Sequence, residues 1–138
     1  MPRLRTLIVD DHPAFLDAAA AFVRGDANCE LCGVARSGAQ ALDLVGRLAP
    51  DLVLLDVYLG DLNGFVVAAA IRAALPTCRV LMMSLNDFPA YRSRSREIGA
   101  AGFIAKAELF RDFPGICAAL AWGSAVLPAH GAGRTSNV

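Results

Sequence analysis

The feature of this sequence that most constrains its fold is an unbroken apolar run, Leu52 to Leu55, that ends directly in Asp56. A run this short and this apolar is typical of a strand buried on both faces, as in the middle of a parallel sheet. Such a strand excludes a charge from its body, so we expect Asp56 at its carboxyl end, where open α/β sheets leave a crevice for ligands. The run therefore predicts both a central strand and the position of a candidate site.

Three other apolar runs of strand length also end at polar side chains. Because the carboxyl ends of parallel strands meet at the same edge of a sheet, these side chains are expected to converge on Asp56. One of them is Lys106, the only lysine in the chain, and its flexible ammonium group suits a phosphate oxygen. The runs and their polar ends are residues 4–9 before Asp10 and Asp11, residues 80–83 before Ser84, and residues 103–105 before Lys106.

Helical patterns fill the segments between these runs, so strands and helices alternate along the chain. Five β–α units with short connections predict an α/β fold, with helices on both faces of a parallel sheet and right-handed crossovers. Periodicity alone leaves the strand order open. The predicted strands are residues 4–9, 29–35, 52–56, 80–83 and 103–105. The predicted helices are residues 13–24, 38–49, 65–75, 89–99 and 108–122.

Most of these helices have a recognisable start or stop and an apolar stripe. Asp11 or His12 is expected to cap the first helix, Ser37 the second, and Gly99 to end the fourth. The stripes predict which residues face the sheet. They are Phe15, Ala19, Phe22 and Val23; Ala41, Leu44, Val45 and Leu48; Val67, Ala68 and Ile71; and Phe110, Phe113, Cys117 and Leu120.

Composition excludes several classes of function. The chain has 138 residues, enough for one domain with a proper core, and its formal net charge of zero argues against a general affinity for nucleic acid. No apolar stretch approaches the roughly 18–20 residues that span a bilayer, and aspartates interrupt the first apolar run too early for a signal peptide. We therefore expect a soluble, cytoplasmic protein that binds no membrane.

The cysteines offer a weaker signal. Cys29 and Cys32 form a C-x-x-C pair, which is found in metal and redox sites. They lie in a predicted strand, where residues three apart point to opposite faces, and no second Cys or His pair completes a site. We interpret the cysteines as small buried apolar residues in a reducing compartment.

The ordered set of polar side chains resembles the receiver domain of two-component response regulators. Asp10 and Asp11 after the first strand, Asp56 after the third, Ser84 after the fourth and Lys106 after the fifth match that family in order and spacing. The match covers about residues 4–122. The resemblance implies a flavodoxin-like (βα)5 doubly wound sheet of five strands in the order 2-1-3-4-5.

Two further segments resemble the NarL/FixJ-type branch of the family. One is the run Asp-Asp-His-Pro at residues 10–13, and the other is the final stretch from Ala118 to Pro128. The branch usually carries a helix-turn-helix DNA-binding domain after a linker, and residues 123–138 are too few for such a domain. We therefore expect a receiver domain over residues 4–122 and a C-terminal tail or linker over residues 123–138.

The resemblance implies a phosphoacceptor rather than an enzyme. Asp56 would take a phosphoryl group from a sensor histidine kinase or a phosphotransfer protein. Crowded carboxylates repel one another, and an all-oxygen set of this kind suits Mg²⁺, or Mn²⁺ in its place. By resemblance the metal ligands are Asp10, Asp11, Asp56 and the backbone carbonyl of Tyr58, and the phosphoryl-binding residues are Ser84 and Lys106.

The resemblance also implies a conformational switch. Ser84 would move towards the phosphoryl group, and Phe103, at the aromatic switch position, would turn inward. The face formed by the fourth helix, fifth strand and fifth helix would then act on a downstream protein or output domain. A homodimer is also possible. Tyr58 and Asn86 occupy positions that tune dephosphorylation rates in the family.

Alternatives stay open beside this interpretation. The chain is either a stand-alone receiver or a fragment of a longer DNA-binding regulator. A Mg²⁺-dependent phosphatase with an aspartate nucleophile, of the haloacid-dehalogenase type, has a second aspartate two residues later, where this sequence has Tyr58. A flavin or nucleotide binder on the same fold is weakened because no glycine-rich loop follows the first strand. Arg92, Arg94 and Arg96 are interpreted as a solvated face or, less simply, as a partner surface.

Overall fold

A computed structural model describes residues 3–122. Within that range five strands and five helices alternate, with one short 3₁₀ turn, and the predicted tail at 123–138 lies outside the described residues. The strands are β1 (Leu4–Val9), β2 (Cys29–Ala35), β3 (Leu52–Asp56), β4 (Arg79–Ser84) and β5 (Gly102–Ala105). The helices are α1 (Pro13–Arg24), α2 (Gly38–Leu48), α3 (Gly64–Ala74), α4 (Pro89–Glu97) and α5 (Leu109–Ala121), and the 3₁₀ turn is Lys106–Glu108.

The strands that the structure describes form one parallel sheet in the order β2-β1-β3-β4-β5. The predicted fold class and strand order are confirmed. β3 lies between β1 and β4, with Leu54 opposite Ile8 on one side and Leu81 on the other. Every residue of β3 is buried, as the apolar run predicts. Asp56 therefore ends the middle strand of the sheet.

Two apolar clusters flank the sheet. On one face α1 and α5 pack against residues such as Ile8 and Leu54, and on the other α2 and α3 pack against Leu7 and Leu55. α4 lies on the second face but is anchored less deeply. Its only buried residue is Ser95, and Tyr91 is half-buried.

The loop after β3 is tied to the start of α2. Ser37 caps α2 as predicted, since its hydroxyl accepts a hydrogen bond from the Gln40 N–H at 3.1 Å. The Asp61 carboxylate accepts two more, from Gly38 N at 2.8 Å and Ala39 N at 3.0 Å. These bonds lower the pKa of Asp61 because they stabilise its charged form at a helix N-terminus. The loop that follows Asp56 is thus held at its far end.

The predicted stripes of α1 and α5 need correction. Phe110 was expected to face the core, but 37% of it is exposed. Its ring packs across the surface between the two helices, with its centroid 4.9 Å from that of Phe22 and 6.0 Å from that of Phe15. The positions of α1 nearest the sheet include Leu16 and Ala20, which the stripe omitted. The rings form the rim of the α1–α5 contact rather than its centre.

The cysteines behave as buried apolar residues, as predicted. Cys29, Cys78 and Cys117 are buried, and Cys32 is partly buried. The Sγ atoms of Cys29 and Cys117 lie 3.0 Å apart between β2 and α5. Burial raises the pKa of the Cys78 thiol to about 11.

None of the helices in residues 3–122 is both long and apolar enough to cross a bilayer.

Candidate acidic site at the carboxyl edge of the sheet

Three charged side chains from distant parts of the chain meet where the strands end. The Nζ atom of Lys106 lies 2.6 Å from Asp10 Oδ2 and 3.0 Å from Asp56 Oδ2. The side chains are nearly inaccessible, with 3% of Lys106, none of Asp10 and 5% of Asp56 exposed. The predicted convergence of these residues is found in the structure.

The site has more acidic than basic side chains. Burial is the main cause that raises the pKa of Asp56, and the nearby charge of Asp10 raises it further, while Lys106 opposes both. The Lys106 ammonium also lies 4.5 Å from the centre of the Phe15 ring, which covers it from the α1 side. One cation thus faces the two buried acids Asp10 and Asp56, with Asp11 close by.

The donor set fits a hard divalent cation. Asp10, Asp11, His12 and Asp56 each offer one ligand atom, and these atoms all lie within 4.8 Å of one another. Asp10 Oδ2 is buried 2.6 Å from the Lys106 ammonium, and Asp11 Oδ1 is buried 3.1 Å from His12 Nδ1. One ammonium group therefore serves three neighbouring carboxylates. Buried carboxylate oxygens without donors are expensive unless a cation compensates them. Oxygen donors of this kind are the ligands that Mg²⁺ prefers.

His12 lies at the predicted cap position of α1, but without the side-chain bond expected of a cap. Asp11 makes no side-chain capping bond to α1 either. The His12 backbone N–H donates to Asp10 Oδ1 at 2.8 Å, and His12 Nδ1 lies 3.1 Å from Asp11 Oδ1. The short turn from β1 into α1 therefore folds around the Asp10 carboxylate, which fixes this acid at the site.

Two loops flank the acids. The Tyr58 N–H donates to Asp56 Oδ1 at 3.3 Å, and the Tyr58 side chain is 58% exposed. On the other side the Asn86 N–H donates to Ser84 Oγ at 3.1 Å. Ser84 is buried at the end of β4 while Asn86 is exposed. Both rate-tuning positions named from the sequence thus lie in the loops that follow β3 and β4, which are neighbouring strands of the sheet.

Phe103 is already inside the protein, with 5% of it exposed. Its ring centroid lies 6.0 Å from that of Tyr91, and the guanidinium carbon of Arg92 lies 5.1 Å from it. Arg92 is itself paired with Asp87 through two hydrogen bonds of 3.0 Å. Phe103, which the family resemblance leads us to expect to turn inward on phosphorylation, is therefore buried in this structure.

Two residues of the site region escaped the sequence analysis. Tyr91 donates its hydroxyl hydrogen to the Tyr58 hydroxyl at 3.0 Å. In the sequence it lies beside three arginines that indicate a solvated helix face. Gly64 starts α3 against β3, and a Cβ added there would lie 2.8 Å from Val57 Cα and 2.9 Å from the Asp56 carbonyl carbon. Gly64 was placed in the loop just before the predicted helix 65–75, and this position was the only signal available in the sequence.

The profile of the response regulator receiver domain family matches residues 6–114 of the chain. The chain belongs to this family. The receiver is also similar to curated transcriptional regulatory proteins. It is 34% identical over 105 residues to MctR of Rhizobium johnstonii, covering 76% of this chain and 49% of MctR. It is 38% identical over 105 residues to NarL of Mycobacterium tuberculosis, covering 75% of this chain and 48% of NarL.

The solved structures agree with the sequence comparisons. The signal receiver domain of NarL from Mycobacterium tuberculosis superposes with a TM-score of 0.81 at 32% identity, covering 89% of this chain and 99% of that one. These similarities place the receiver in the NarL/FixJ-type branch, as the Asp-Asp-His-Pro run predicts. The chain spans about half the length of the curated relatives MctR and NarL.

Proposed function

We propose that this receiver accepts a phosphoryl group on Asp56, from a sensor histidine kinase or a phosphotransfer protein, and passes the resulting change to a partner. The observation that carries the proposal is the contact of the Lys106 ammonium with both Asp56 and Asp10, beside the third carboxylate of Asp11. Phosphoryl transfer to aspartate needs a nucleophilic carboxylate, a cation for the incoming phosphoryl oxygens and an acidic donor set that can hold a divalent metal ion.

Asp10, Asp11 and Asp56 would hold Mg²⁺, or Mn²⁺, with the backbone carbonyl of Tyr58 as a further ligand. The fit rests on the close grouping of three carboxylates, whose ligand atoms lie within 4.8 Å of one another, against a single ammonium group, that of Lys106. When bound, the ion neutralises carboxylate charge and polarises a phosphoryl oxygen.

The chain's own residues account for the remaining chemistry. An oxygen of Asp56 forms a bond to phosphorus while the bond from phosphorus to the donor's histidine nitrogen breaks, and the released imidazole takes a proton from water. Lys106 pairs with a phosphoryl oxygen, for which its ammonium is already in place 3.0 Å from Asp56 Oδ2. The Ser84 hydroxyl donates a hydrogen bond to another phosphoryl oxygen.

The same contacts would convert phosphorylation into a change of surface. Ser84 Oγ accepts a bond from the Asn86 N–H, so a shift of Ser84 pulls on the loop that leads into α4. Phe103 of β5 packs against Tyr91 of α4, so a shift of α4 would change the surface that these two elements share. We propose the face of α4, β5 and α5 as the output surface, read by a downstream protein, a second copy or a DNA-binding domain on a longer chain.

Intact-mass spectrometry after incubation with acetyl phosphate and Mg²⁺ tests the proposal. We expect one labile adduct of about 80 Da on the wild-type protein and none on Asp56→Asn. Asp51→Asn is the matched control, because Asp51 is an exposed aspartate just before the other end of the same strand. Undiminished labelling of Asp56→Asn, or loss of labelling in Asp51→Asn alone, would refute the assignment of the acceptor.

A further inference from the structure

Two cysteine thiols meet in the core on the face of the sheet that α1 and α5 cover. The Sγ atoms of Cys29 and Cys117 lie 3.0 Å apart, although the two residues are 88 positions apart in the chain. Cys29 is the first residue of β2, an edge strand, and Cys117 belongs to α5. Neither residue is exposed to solvent. The contact therefore joins one edge of the sheet directly to the last helix that the structure describes.

The distance between the sulfur atoms suits a covalent bond between them. A disulfide holds its sulfur atoms at about 2.05 Å, so this pair has to close by only about 1 Å, which small rotations of two cysteine side chains supply. The C-x-x-C motif offers no such pairing. Cys29 lies in the apolar cluster with α1 and α5, whereas Cys32 packs against the cluster on the opposite face. The partner of Cys29 is thus Cys117, which no local pattern in the sequence indicates.

The two thiols differ in acidity. The contact with Cys117 is the main cause that lowers the pKa of Cys29, and Thr6 and Arg3 act in the same direction against burial and the charge of Asp26. The same contact, together with burial, raises the pKa of Cys117. Because the thiolate is the nucleophilic form, Cys29 is the sulfur suited to react first and Cys117 the sulfur suited to follow.

A small molecule has a route to this pair from the surface. Asn28, next to Cys29, and Pro114, one turn before Cys117, both line a cavity of about 490 Å³. Pro114 lies inside α5 without a backbone N–H to donate, and Gly115 follows it. This turn of α5 therefore opens at lower cost than a regular helical turn, and a reagent little larger than water needs only a small opening.

We propose that Cys29 and Cys117 form an oxidation site, at which a small peroxide converts the two thiols into a disulfide that fastens α5 to β2. The Cys29 thiolate attacks one oxygen of hydrogen peroxide, the O–O bond breaks, and the hydroxide that leaves takes up the proton that Cys29 released. The Cys117 sulfur then bonds to the Cys29 sulfur, the S–O bond of the sulfenic acid breaks, and a second water leaves with the Cys117 proton. The two thiols lose two electrons, and the peroxide is reduced to two water molecules.

The disulfide would close a long loop of the chain. Residues 29–117 contain β3, β4 and β5, so the loop includes Asp56, Ser84 and Lys106. A cross-link over such a loop stabilises a fold mainly because it restricts the unfolded chain. It would also fix α5 through a residue just after its weakest turn. The inference does not depend on phosphorylation of Asp56, so either proposal can fail without the other.

Peptide mapping of the wild-type protein tests the link. The reduced chain is treated with hydrogen peroxide, blocked in guanidinium, and digested without reductant by a protease that cleaves after glutamate. Cleavage after Glu30 and Glu108 places Cys29 in residues 1–30 and Cys117 in residues 109–138, and leaves Cys32 and Cys78 in residues 31–97. We expect residues 1–30 joined to residues 109–138, lighter by about 2 Da than the two thiol peptides together, and separated again by dithiothreitol.

Two variants serve as a matched pair. Cys78→Ala removes a thiol that is equally buried but whose Sγ faces the Arg79 carbonyl at 3.6 Å, and it should form the link as the wild type does. Cys117→Ala should form no link and should leave a sulfenic acid on Cys29 that dimedone traps. A link from residues 1–30 to residues 31–97, sulfinic acid without a link, or oxidation of Cys78 as fast as that of Cys29 would each overturn the inference.

Urea unfolding measures whether the link fastens the fold. The unfolding midpoint of the oxidised wild-type protein should rise by about 2–3 M, as for a disulfide that closes a loop of this length. Dithiothreitol should restore the original midpoint, and peroxide should leave the midpoint of Cys117→Ala unchanged. A linked protein whose midpoint stays the same or falls would show that the bond distorts the native structure, and the fastening of α5 to β2 would be wrong.

Discussion

Replacement of Gly64 by alanine tests how closely α3 packs against the strand that ends at Asp56. An alanine Cβ there would lie 2.8 Å from Val57 Cα and 2.9 Å from the Asp56 carbonyl carbon, and closer still to the Asp56 carbonyl oxygen. All three atoms belong to the backbone of the middle of the fold. Carbon atoms in contact prefer about 3.5–4.0 Å, so the start of α3 has to move by roughly 0.7 Å or more.

That movement strains a junction with no flexible side chain to absorb it. Gly64 N donates to the Val57 carbonyl at 2.7 Å, so the displacement also stretches a backbone hydrogen bond. Overpacking in a close-packed core costs about 1–3 kcal/mol, and we expect Gly64→Ala to lose about 2–3 kcal/mol of unfolding free energy. With a urea slope of about 1–1.5 kcal/mol per molar, the unfolding midpoint should fall by roughly 2 M.

Gly46→Ala is the matched control for this measurement. Gly46 lies inside α2, and a Cβ added there meets nothing within 4 Å. Removal of a glycine from a helix interior should stabilise the protein by about 0.5–1 kcal/mol. If Gly64→Ala stays within about 0.5 kcal/mol of the wild type while Gly46→Ala behaves as expected, the close approach of α3 to β3 is wrong.

Two further predictions concern the buried lysine and the thiols. Lys106→Met should lower the unfolding free energy by about 3 kcal/mol at pH 8, because it leaves Asp10 and Asp56 buried without their cation. Burial already raises the pKa of Asp56 and Lys106 lowers it, so the variant's folded state binds protons more tightly than the unfolded chain and gains stability as the pH falls through that raised pKa. The deficit of Lys106→Met should therefore shrink at pH 5 in urea titrations, and a constant deficit would contradict this electrostatic account. In the native protein, a thiol reagent at pH 8 should label Cys32 alone, whereas all four cysteines should react in guanidinium. Peptide mapping of the labelled sites checks this, and rapid native labelling of Cys78 would show that its burial is overestimated.

The sequence was sufficient for the parts of the fold that burial dictates. A strand such as Leu52–Asp56, buried on both faces, has to be apolar up to its last residue, so its pattern is readable without coordinates. The position of Asp56 then followed from the strand end, and the contact of Lys106 with Asp10 and Asp56 followed from the parallel arrangement. The strand order came from the family resemblance, because periodicity contains no information on it.

The errors arose where the neighbour of a side chain decides its environment. Phe110 shares a helical stripe with Phe113, yet its place at the margin depends on how α1 and α5 lie against each other. His12 occupies a cap position, but its ring faces the acids because the turn folds around Asp10. The hydrogen bond of Tyr91 joins α4 to Tyr58, 33 residues away in the chain, and no local pattern predicts such a contact.

The limited burial of α4 has a thermodynamic consequence. A helix whose one buried residue is Ser95, and which packs the half-buried Tyr91 against the core, can detach at a fraction of the free energy needed to unfold the whole chain. The position of α4 is therefore easier to change than that of the other helices. A change of about 1–3 kcal/mol in interaction free energy at the sheet edge is enough to shift the populations of its arrangements. In this protein the response would be concentrated in the helix that costs least to displace.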